Sequence, residues 1–141
     1  MTSFNEVYGY FLNSITDYTY LELQPNDLEN ELLMLLQKAL GKLRRIKFDI
    51  NLDNKTFKDI LTSREINIIA LAMVIEYIRP KIVSVEVMKP KLNIKDWQTF
   101  SNSQHLKELQ SILTETEKEF SYELQLYSSA WTFSMDYRRG K

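Results

Sequence analysis

The chain has 141 residues and no cysteine, and its 18 basic and 19 acidic side chains give a net charge of −1. This length is typical of one domain, and the absence of cysteine excludes disulfides and zinc–thiolate sites. Proteins that bind nucleic acid without sequence preference depend on an overall excess of basic residues, and this chain has none.

Neither a signal peptide nor a membrane span is expected. Met1–Asn5 carries no basic residue, and no apolar segment follows it. The longest apolar stretch, Ile66–Ile78, is interrupted by Asn67, Glu76 and Tyr77, and it is shorter than the ~20 apolar residues that a bilayer requires.

Two helices are predicted first. Apolar residues at helical spacing indicate a helix from Ser3 to about Ile15, with Ser3 and Glu6 as a candidate capping box. A polar connection precedes a second helix, which Pro25-Asn26-Asp27 can cap. Its carboxyl end carries the basic side chains that a helix terminus favours: Lys38, Lys42, Arg44 and Arg45.

A short strand is predicted between Lys47 and Lys55, because Phe48, Ile50 and Leu52 alternate there with polar residues. A lone strand is not stable, so it must pair in a hairpin or with another chain. These three residues are therefore candidate interface residues. The following segment, Phe57–Leu61, is interpreted as a short helical turn.

The central helix is predicted to start at the capping box Thr62-Ser63-Arg64-Glu65. Apolar residues occur nearly all round it, which is typical of a buried helix. Pro80 is expected to end or kink it, with Lys81–Met88 as a further helical piece before Pro90.

After a loop at Lys91–Phe100, a last helix is predicted from about Gln104 to Ser128, roughly 37 Å long. Its expected buried seam comprises Leu106, Leu109, Leu113, Phe120, Leu124 and Tyr127. Its length could carry it beyond the globule or along a neighbouring subunit.

The remaining residues, 130–141, are interpreted as an extended tail, because the large apolar residues alternate with polar ones. Such a tail can fold back on its own domain, add to a partner's sheet or insert aromatic side chains into pockets. Its candidate interface residues are Trp131, Phe133, Met135, Tyr137, Arg138 and Arg139. The expected fold is thus mainly α, a bundle of four to five helices over residues 1–129 with a short strand or hairpin and this docking tail.

No catalytic, metal or cofactor site is predicted. The single histidine, His105, has no nucleophile motif beside it, and three glycines cannot form a phosphate-binding loop. An acidic run in the last helix is interpreted as a solvated face, or as a surface for a basic partner or the wall of a DNA channel. Its members are Glu115, Glu117, Glu119 and Glu123.

A basic stretch follows the central helix. Its members are Arg79, Lys81, Lys89, Lys91 and Lys95. It is interpreted either as an ordinary solvated edge or as a patch that faces an acidic neighbour or DNA.

Three segments resemble small neck proteins of tailed bacteriophages. Ile60–Ile66 and Met73–Lys81 are similar to their central helix, and Asp96–Lys107 repeats their pattern of an Asp–aromatic pair, a Ser-rich cap and a long final helix. The resemblance covers about residues 25–128, and its motifs concern packing and capping.

The resemblance implies a head–tail connector, a structural virion protein without enzymatic activity. Copies would form a closed ring of about twelve subunits beneath the portal, in the virion neck, after assembly in the host cytoplasm. The ring would extend the DNA channel without sequence-specific binding and would meet a stopper or tail-completion protein. Residues 47–55 would correspond to the interdigitating loop, and residues 130–141 to an end that reaches into the portal or a neighbouring subunit.

Two alternatives remain open at this point. The chain could instead be a tail-completion or tail-terminator virion protein. It could also be a small cytoplasmic regulator that binds nucleic acid through the basic stretch between Arg79 and Lys95.

Overall fold

The computed structural model describes residues 1–15, 25–43, 46, 48–88 and 102–139, with backbone alone for 84–88, 102–105 and 129–139. The described chain is mainly α-helical, with a short antiparallel hairpin. In chain order its elements are α1 (Phe4–Ser14), α2 (Pro25–Lys42), β1 (Ile50–Asn51), β2 (Thr56–Phe57), α3 (Ser63–Met88) and α4 (Asn102–Arg139).

The segment before α1 runs beside β2. Phe57 donates its backbone N–H to the Thr2 carbonyl at 2.7 Å, and Phe4 donates to the Lys55 carbonyl at 3.0 Å. The buried Thr2 hydroxyl accepts the Leu61 N–H at 2.8 Å. α1 then begins with the predicted Ser3 cap, whose hydroxyl accepts the N–H of Asn5 at 3.1 Å.

The predicted strand pairs within its own chain. Ile50 lies opposite Phe57, and Asn51 lies opposite Thr56. The prediction of a helical turn at Phe57–Leu61 is wrong, because Phe57 belongs to β2. Its buried ring packs edge-on against Phe4 and Phe48, at centroid distances of 5.2 and 6.3 Å, which fixes this residue in the sheet.

The capping box at the start of α3 is confirmed. Thr62 donates its N–H to the Glu65 carboxylate at 2.9 Å, and Glu65 donates its N–H to the Thr62 hydroxyl at 3.2 Å. Every residue from Ile68 to Ile75 is buried, and α3 packs against each of the other described helices. The prediction of a central helix is therefore confirmed.

α3 continues through Pro80 to Met88. Proline removes the N–H that would bond the Glu76 carbonyl, yet Pro80 itself is exposed, so its ring does not disturb the core. Ile78 and Ile82 on either side of it are buried, and their packing holds the helix together across the missing bond.

α4 packs antiparallel to α3 along the predicted seam. Leu106 and Leu109 are buried, and the seam residues from Leu113 to Tyr127 pack half-buried against the same core. Arg79 bonds Glu117 near the middle of α4, whereas Glu65 in the first turn of α3 accepts a hydrogen bond from the Tyr127 hydroxyl at 3.1 Å.

The prediction of an extended tail from Ala130 is wrong over residues 130–139, where the backbone continues α4 to Arg139. Neither proline nor glycine occurs between Asn102 and Arg139, so nothing interrupts the helix before Gly140. α4 therefore crosses the expected boundary at 129/130 without a break. Gly140 and Lys141 lie outside the described residues.

Candidate protein-binding surface

Three parts of the chain meet where α3 begins. The β-hairpin immediately precedes α3, the segment before α1 bonds to β2, and α4 passes the first turn of α3 at Tyr127. We call this region, residues 1–3, 48–62 and 127–139, the hairpin end. It contains both of the segments in which the sequence predicted interface residues.

The hairpin residues divide between core and surface. Phe48 is half-buried and packs on Phe57, and Ile50 is half-buried opposite the same residue. Leu52 lies in the turn, and 51% of it is exposed. Of the three predicted interface residues in the hairpin, Leu52 is therefore the one that can meet a partner without unpacking the core.

The hairpin turn is fixed to the rest of the molecule. The Asn51 side-chain oxygen accepts the N–H groups of Asp53 and Asn54 at 3.0 and 3.2 Å, and Lys55 follows with a left-handed φ of 55°. The Lys55 ammonium pairs with Glu29 of α2. The backbone carbonyl of Lys55 accepts the N–H of Phe4, the first residue of α1. Leu52 is consequently presented on an anchored turn.

Ile60 is a candidate contact residue that the sequence analysis did not identify. It is 81% exposed, although Leu61 beside it is buried. The helical interpretation of 57–61 gave no reason to separate these two neighbours, whereas an extended connection places them on opposite sides. Met1, at 79% exposed, adds a second large apolar side chain to the hairpin end.

The last part of α4 completes the hairpin end. Twelve residues follow Tyr127 in the helix, which corresponds to about 18 Å of rise beyond the first turn of α3. The predicted tail residues are in this segment: Trp131, Phe133, Met135, Tyr137, Arg138 and Arg139. Their backbone is helical, and their side chains lie outside the described part of the chain.

Tyr127 joins α4 to α3 through its hydroxyl. Burial raises the pKa of Tyr127 above its ordinary value, and the charge of Glu65 and the hydrogen bond to that carboxylate raise it further. The phenol therefore stays protonated at neutral pH and donates to Glu65, which also caps α3. One carboxylate thus fixes the start of α3 and the position of α4.

The described members of the basic stretch, Arg79 and Lys81, lie away from the hairpin end. Arg79 is 15 residues beyond Arg64, about 22 Å along α3, and it bonds Glu117 at 3.2 Å and lies 3.8 Å from Glu76. Lys81 lies over the Tyr77 ring at 4.7 Å. Lys89, Lys91 and Lys95 lie outside the described residues. The two described members thus already have partners within the chain.

The acidic run of the last helix also divides into two groups. Glu117 and Glu123 face α3 and pair with Arg79 and Arg64, the latter at 3.4 Å. Glu115 and Glu119 are exposed. The acidic surface is therefore smaller than the sequence indicated, and the His105 side chain lies outside the described part.

A cleft lies between the end of α2, α3 and α4. It has a volume of about 320 Å³, with Ala72, Ile75 and Phe120 among its walls, and a neighbouring hollow of about 490 Å³ shares Lys42 and Ser121 with it. One Glu76 oxygen is buried there without a hydrogen bond. Among the described lining residues, the cleft combines apolar walls with the ion pair between Arg79 and Glu117.

Within the described ranges, no group of three or more His, Asp or Glu side chains could hold a metal ion. No described helix is long and apolar enough to cross a bilayer. Comparisons with family models, characterised proteins and solved structures find no match for this chain.

Proposed function

We propose that this chain is a structural subunit that binds other proteins through its hairpin end. The observation that carries the proposal is the end of α4, which continues about 18 Å past its bond to α3 and contains Trp131, Phe133, Met135 and Tyr137. Aromatic and arginine side chains dominate the binding energy of protein interfaces, and this segment is rich in both.

The exposed apolar side chains of the hairpin end support the same proposal. Ile60 and Leu52 expose large apolar surface on backbone that hydrogen bonds fix in place. Holding such residues in a defined position reduces the entropy that binding must overcome. The hairpin end thus combines an anchored apolar part with a helical aromatic part.

In its specific form, the proposal is a head–tail connector of a tailed bacteriophage. This form rests on the resemblance of Ile60–Ile66, Met73–Lys81 and Asp96–Lys107 to phage neck proteins. The subunit would join other copies in a ring, dock on the portal protein, and meet a stopper or tail-completion protein in the virion neck. The DNA would pass through the ring without sequence-specific contacts.

A tail-completion or tail-terminator role uses the same kind of surface, and the symmetry of the assembled ring distinguishes it from the connector role. The nucleic-acid-binding alternative draws less support. Arg79 already pairs with Glu117 and lies beside Glu76, and Lys81 lies on Tyr77. A phosphate would have to compete with these contacts.

The test uses purified portal protein of the same phage and truncation of this chain after Ser128. We expect the truncated chain to keep its helical circular dichroism, because the α3–α4 contacts through Tyr127 remain, and to lose complex formation in native mass spectrometry. Retained portal binding by the folded truncated chain would contradict the proposed role of the α4 end.

A matched pair of point variants tests the hairpin part. Ile60→Ser and Val83→Ser each remove an exposed β-branched side chain, at opposite ends of α3 (Val83 is 56% exposed). We expect Ile60→Ser to weaken portal binding about tenfold, which corresponds to a contact worth about 1.4 kcal/mol, and Val83→Ser to leave it unchanged. Equal effects of the two variants would contradict the proposal.

A further inference from the structure

The outer side of α4 carries an acidic stripe that also contains apolar side chains. Glu108, Ile112, Glu115, Glu119 and Tyr122 recur at intervals of three and four residues, so they share one side of the helix. Ile112 and Tyr122 are 45% and 60% exposed, and the three glutamates are exposed too. We call these five residues the acidic stripe.

The charges of the acidic stripe are not compensated within the described chain. None of the ion pairs among the described residues includes Glu108, Glu115 or Glu119. Glu115 and Glu119 are four residues apart on the helix, where like charges destabilise it by a few tenths of a kcal/mol. A cationic partner would remove this repulsion and cover the two apolar side chains.

The carboxyl half of α2 has the complementary character. Met34, Lys38, Gly41 and Lys42 are exposed, and they also recur at helical spacing. We call them the basic stripe. Among the described ion pairs none involves Lys38 or Lys42. Each stripe therefore contains a pair of like charges four residues apart, Lys38 with Lys42 in one and Glu115 with Glu119 in the other. Each also contains at least one exposed apolar side chain.

Gly41 gives the basic stripe a second distinctive property. It lies in the last turn of α2 without a positive φ, and a Cβ built on it would meet nothing within 4 Å. Neither a left-handed backbone nor packing against the described residues therefore requires a glycine at this position. The open space above Gly41 permits the close approach of a neighbouring helix.

The two stripes cannot meet within one copy. Ser121 lies beside Lys42 along the cleft, and helical geometry places Glu119 about 160° around α4 from Ser121. The acidic stripe therefore faces away from α2. Two complementary surfaces on different sides of one chain are the arrangement that produces head-to-tail contacts between copies.

We propose that the basic stripe of one copy binds the acidic stripe of a second copy. Lys38 and Lys42 would pair with Glu115 and Glu119, since both pairs are separated by about 6 Å of helix rise, and Gly41 would let the two helices approach closely. This contact would serve the ring of the proposed function and rests on it in that respect, but it uses neither the hairpin end nor the portal, so it is tested separately from portal docking.

Charge reversal tests the proposal by sedimentation velocity of the full chain. The wild-type mass should increase with protein concentration at low ionic strength and decrease with added salt. Lys38→Glu with Lys42→Glu, and separately Glu115→Lys with Glu119→Lys, should each weaken association about tenfold or more. The chain with all four reversals should recover association to within about threefold of wild type, because the charges again match.

Gly41→Leu tests the close approach. Its side chain enters open space, so the fold should persist by circular dichroism while self-association weakens about tenfold or more. Gly9→Leu is the matched control, since the space beside Gly9 in α1 is also open. It should associate like the wild type.

Several results would overturn the proposal. One is a wild-type chain that stays monomeric at low salt over the accessible concentrations. A second is that the variant with all four charges reversed folds but does not recover self-association. A third is that Gly41→Leu self-associates as strongly as Gly9→Leu. Normal self-association together with loss of portal binding in Ile60→Ser would instead show that the two surfaces act separately, as proposed.

Discussion

Tyr8 lies in α1 with its ring buried, 6.3 Å from the centroid of Phe4. Burial raises the pKa of Tyr8 to about 12, and the negative charge of Glu29 adds to the shift. Both causes disfavour the ionised phenolate, which would carry its negative charge in the core without water around it. Tyr8 is therefore a core residue whose ionisation affects the stability of the fold only at high pH.

The shift makes stability depend on pH. The unfolded chain loses the Tyr8 proton near its ordinary pKa of about 10, whereas the folded chain keeps it up to about 12. Between these values the folded state binds more protons, so the contribution of Tyr8 to the free energy of unfolding is complete below pH 10 and is lost as pH rises toward 12.

Urea titrations of wild type and Tyr8→Phe across this range test the prediction. The wild type should lose stability more steeply with rising pH than the variant does. Glu29→Gln should reduce the slope only in part, because Glu29 is the smaller cause. Parallel curves for wild type and Tyr8→Phe would contradict the assignment.

At the scale of the secondary-structure elements, the hairpin turn combines an unfavourable backbone angle with favourable contacts. Lys55 adopts a φ of 55°, which costs an L-residue other than glycine roughly 1 kcal/mol. Its carbonyl bonds to the N–H of Phe4, and its ammonium pairs with Glu29. Both members of that ion pair are about half exposed, so its contribution is small.

Two substitutions separate these effects, because both remove the ammonium. Lys55→Gly should leave stability unchanged or raise it by up to about 1 kcal/mol, since glycine adopts a positive φ readily. Lys55→Val should lower it by about 1–2 kcal/mol, because a branched side chain is strained at this angle. Equal unfolding free energies for the two variants would show that the positive φ at this position does not carry the expected cost.

The sequence predicted the elements whose signals are local. Ser3 and the Thr62–Glu65 box mark helix starts by their own hydrogen bonds, and the seam of α4 follows from spacing alone. The predictions for 57–61 and 130–139 are wrong, because segments of five to ten residues carry too short a pattern to distinguish a helix from extended structure. The exposure of Ile60 depends on how distant residues cover the connection, which the local sequence does not contain.

Across the whole molecule, α3 and α4 are joined by an apolar seam and flanked by two arginine–glutamate pairs. Arg64 pairs with Glu123 at 3.4 Å, and the arginine side chain is 47% exposed. Arg79 is equally exposed, at 48%; it pairs with Glu117 and lies beside the largely buried Glu76, one of whose oxygens has no hydrogen bond. The two arginines thus differ in the carboxylates beside them and not in their own exposure.

We expect Arg64→Gln to cost less than about 1 kcal/mol of unfolding free energy, because an exposed pair contributes little. Arg79→Gln should cost more, about 1–3 kcal/mol, because it leaves the Glu76 carboxylate without its nearby cation. Ile69→Ala, which empties part of the core, should cost about 2–5 kcal/mol.

Denaturant titrations rank the three variants of α3. A larger loss for Arg64→Gln than for Ile69→Ala would show that this ion pair contributes more to stability than apolar packing in the core does. A loss for Arg79→Gln no greater than that for Arg64→Gln would show that the buried Glu76 oxygen does not depend on Arg79.

The hydrogen bond between Thr2 and Leu61 spans 59 residues. During translation the first residues therefore leave the ribosome long before their partners in β2 exist, and α1 cannot dock fully until about residue 61 has emerged. The side of α3 that α4 covers stays open for still longer, until residues 106–127 have been made. The nascent chain consequently exposes part of its central helix, which is buried in the folded protein, while synthesis continues, and chaperones would have access to it during this period.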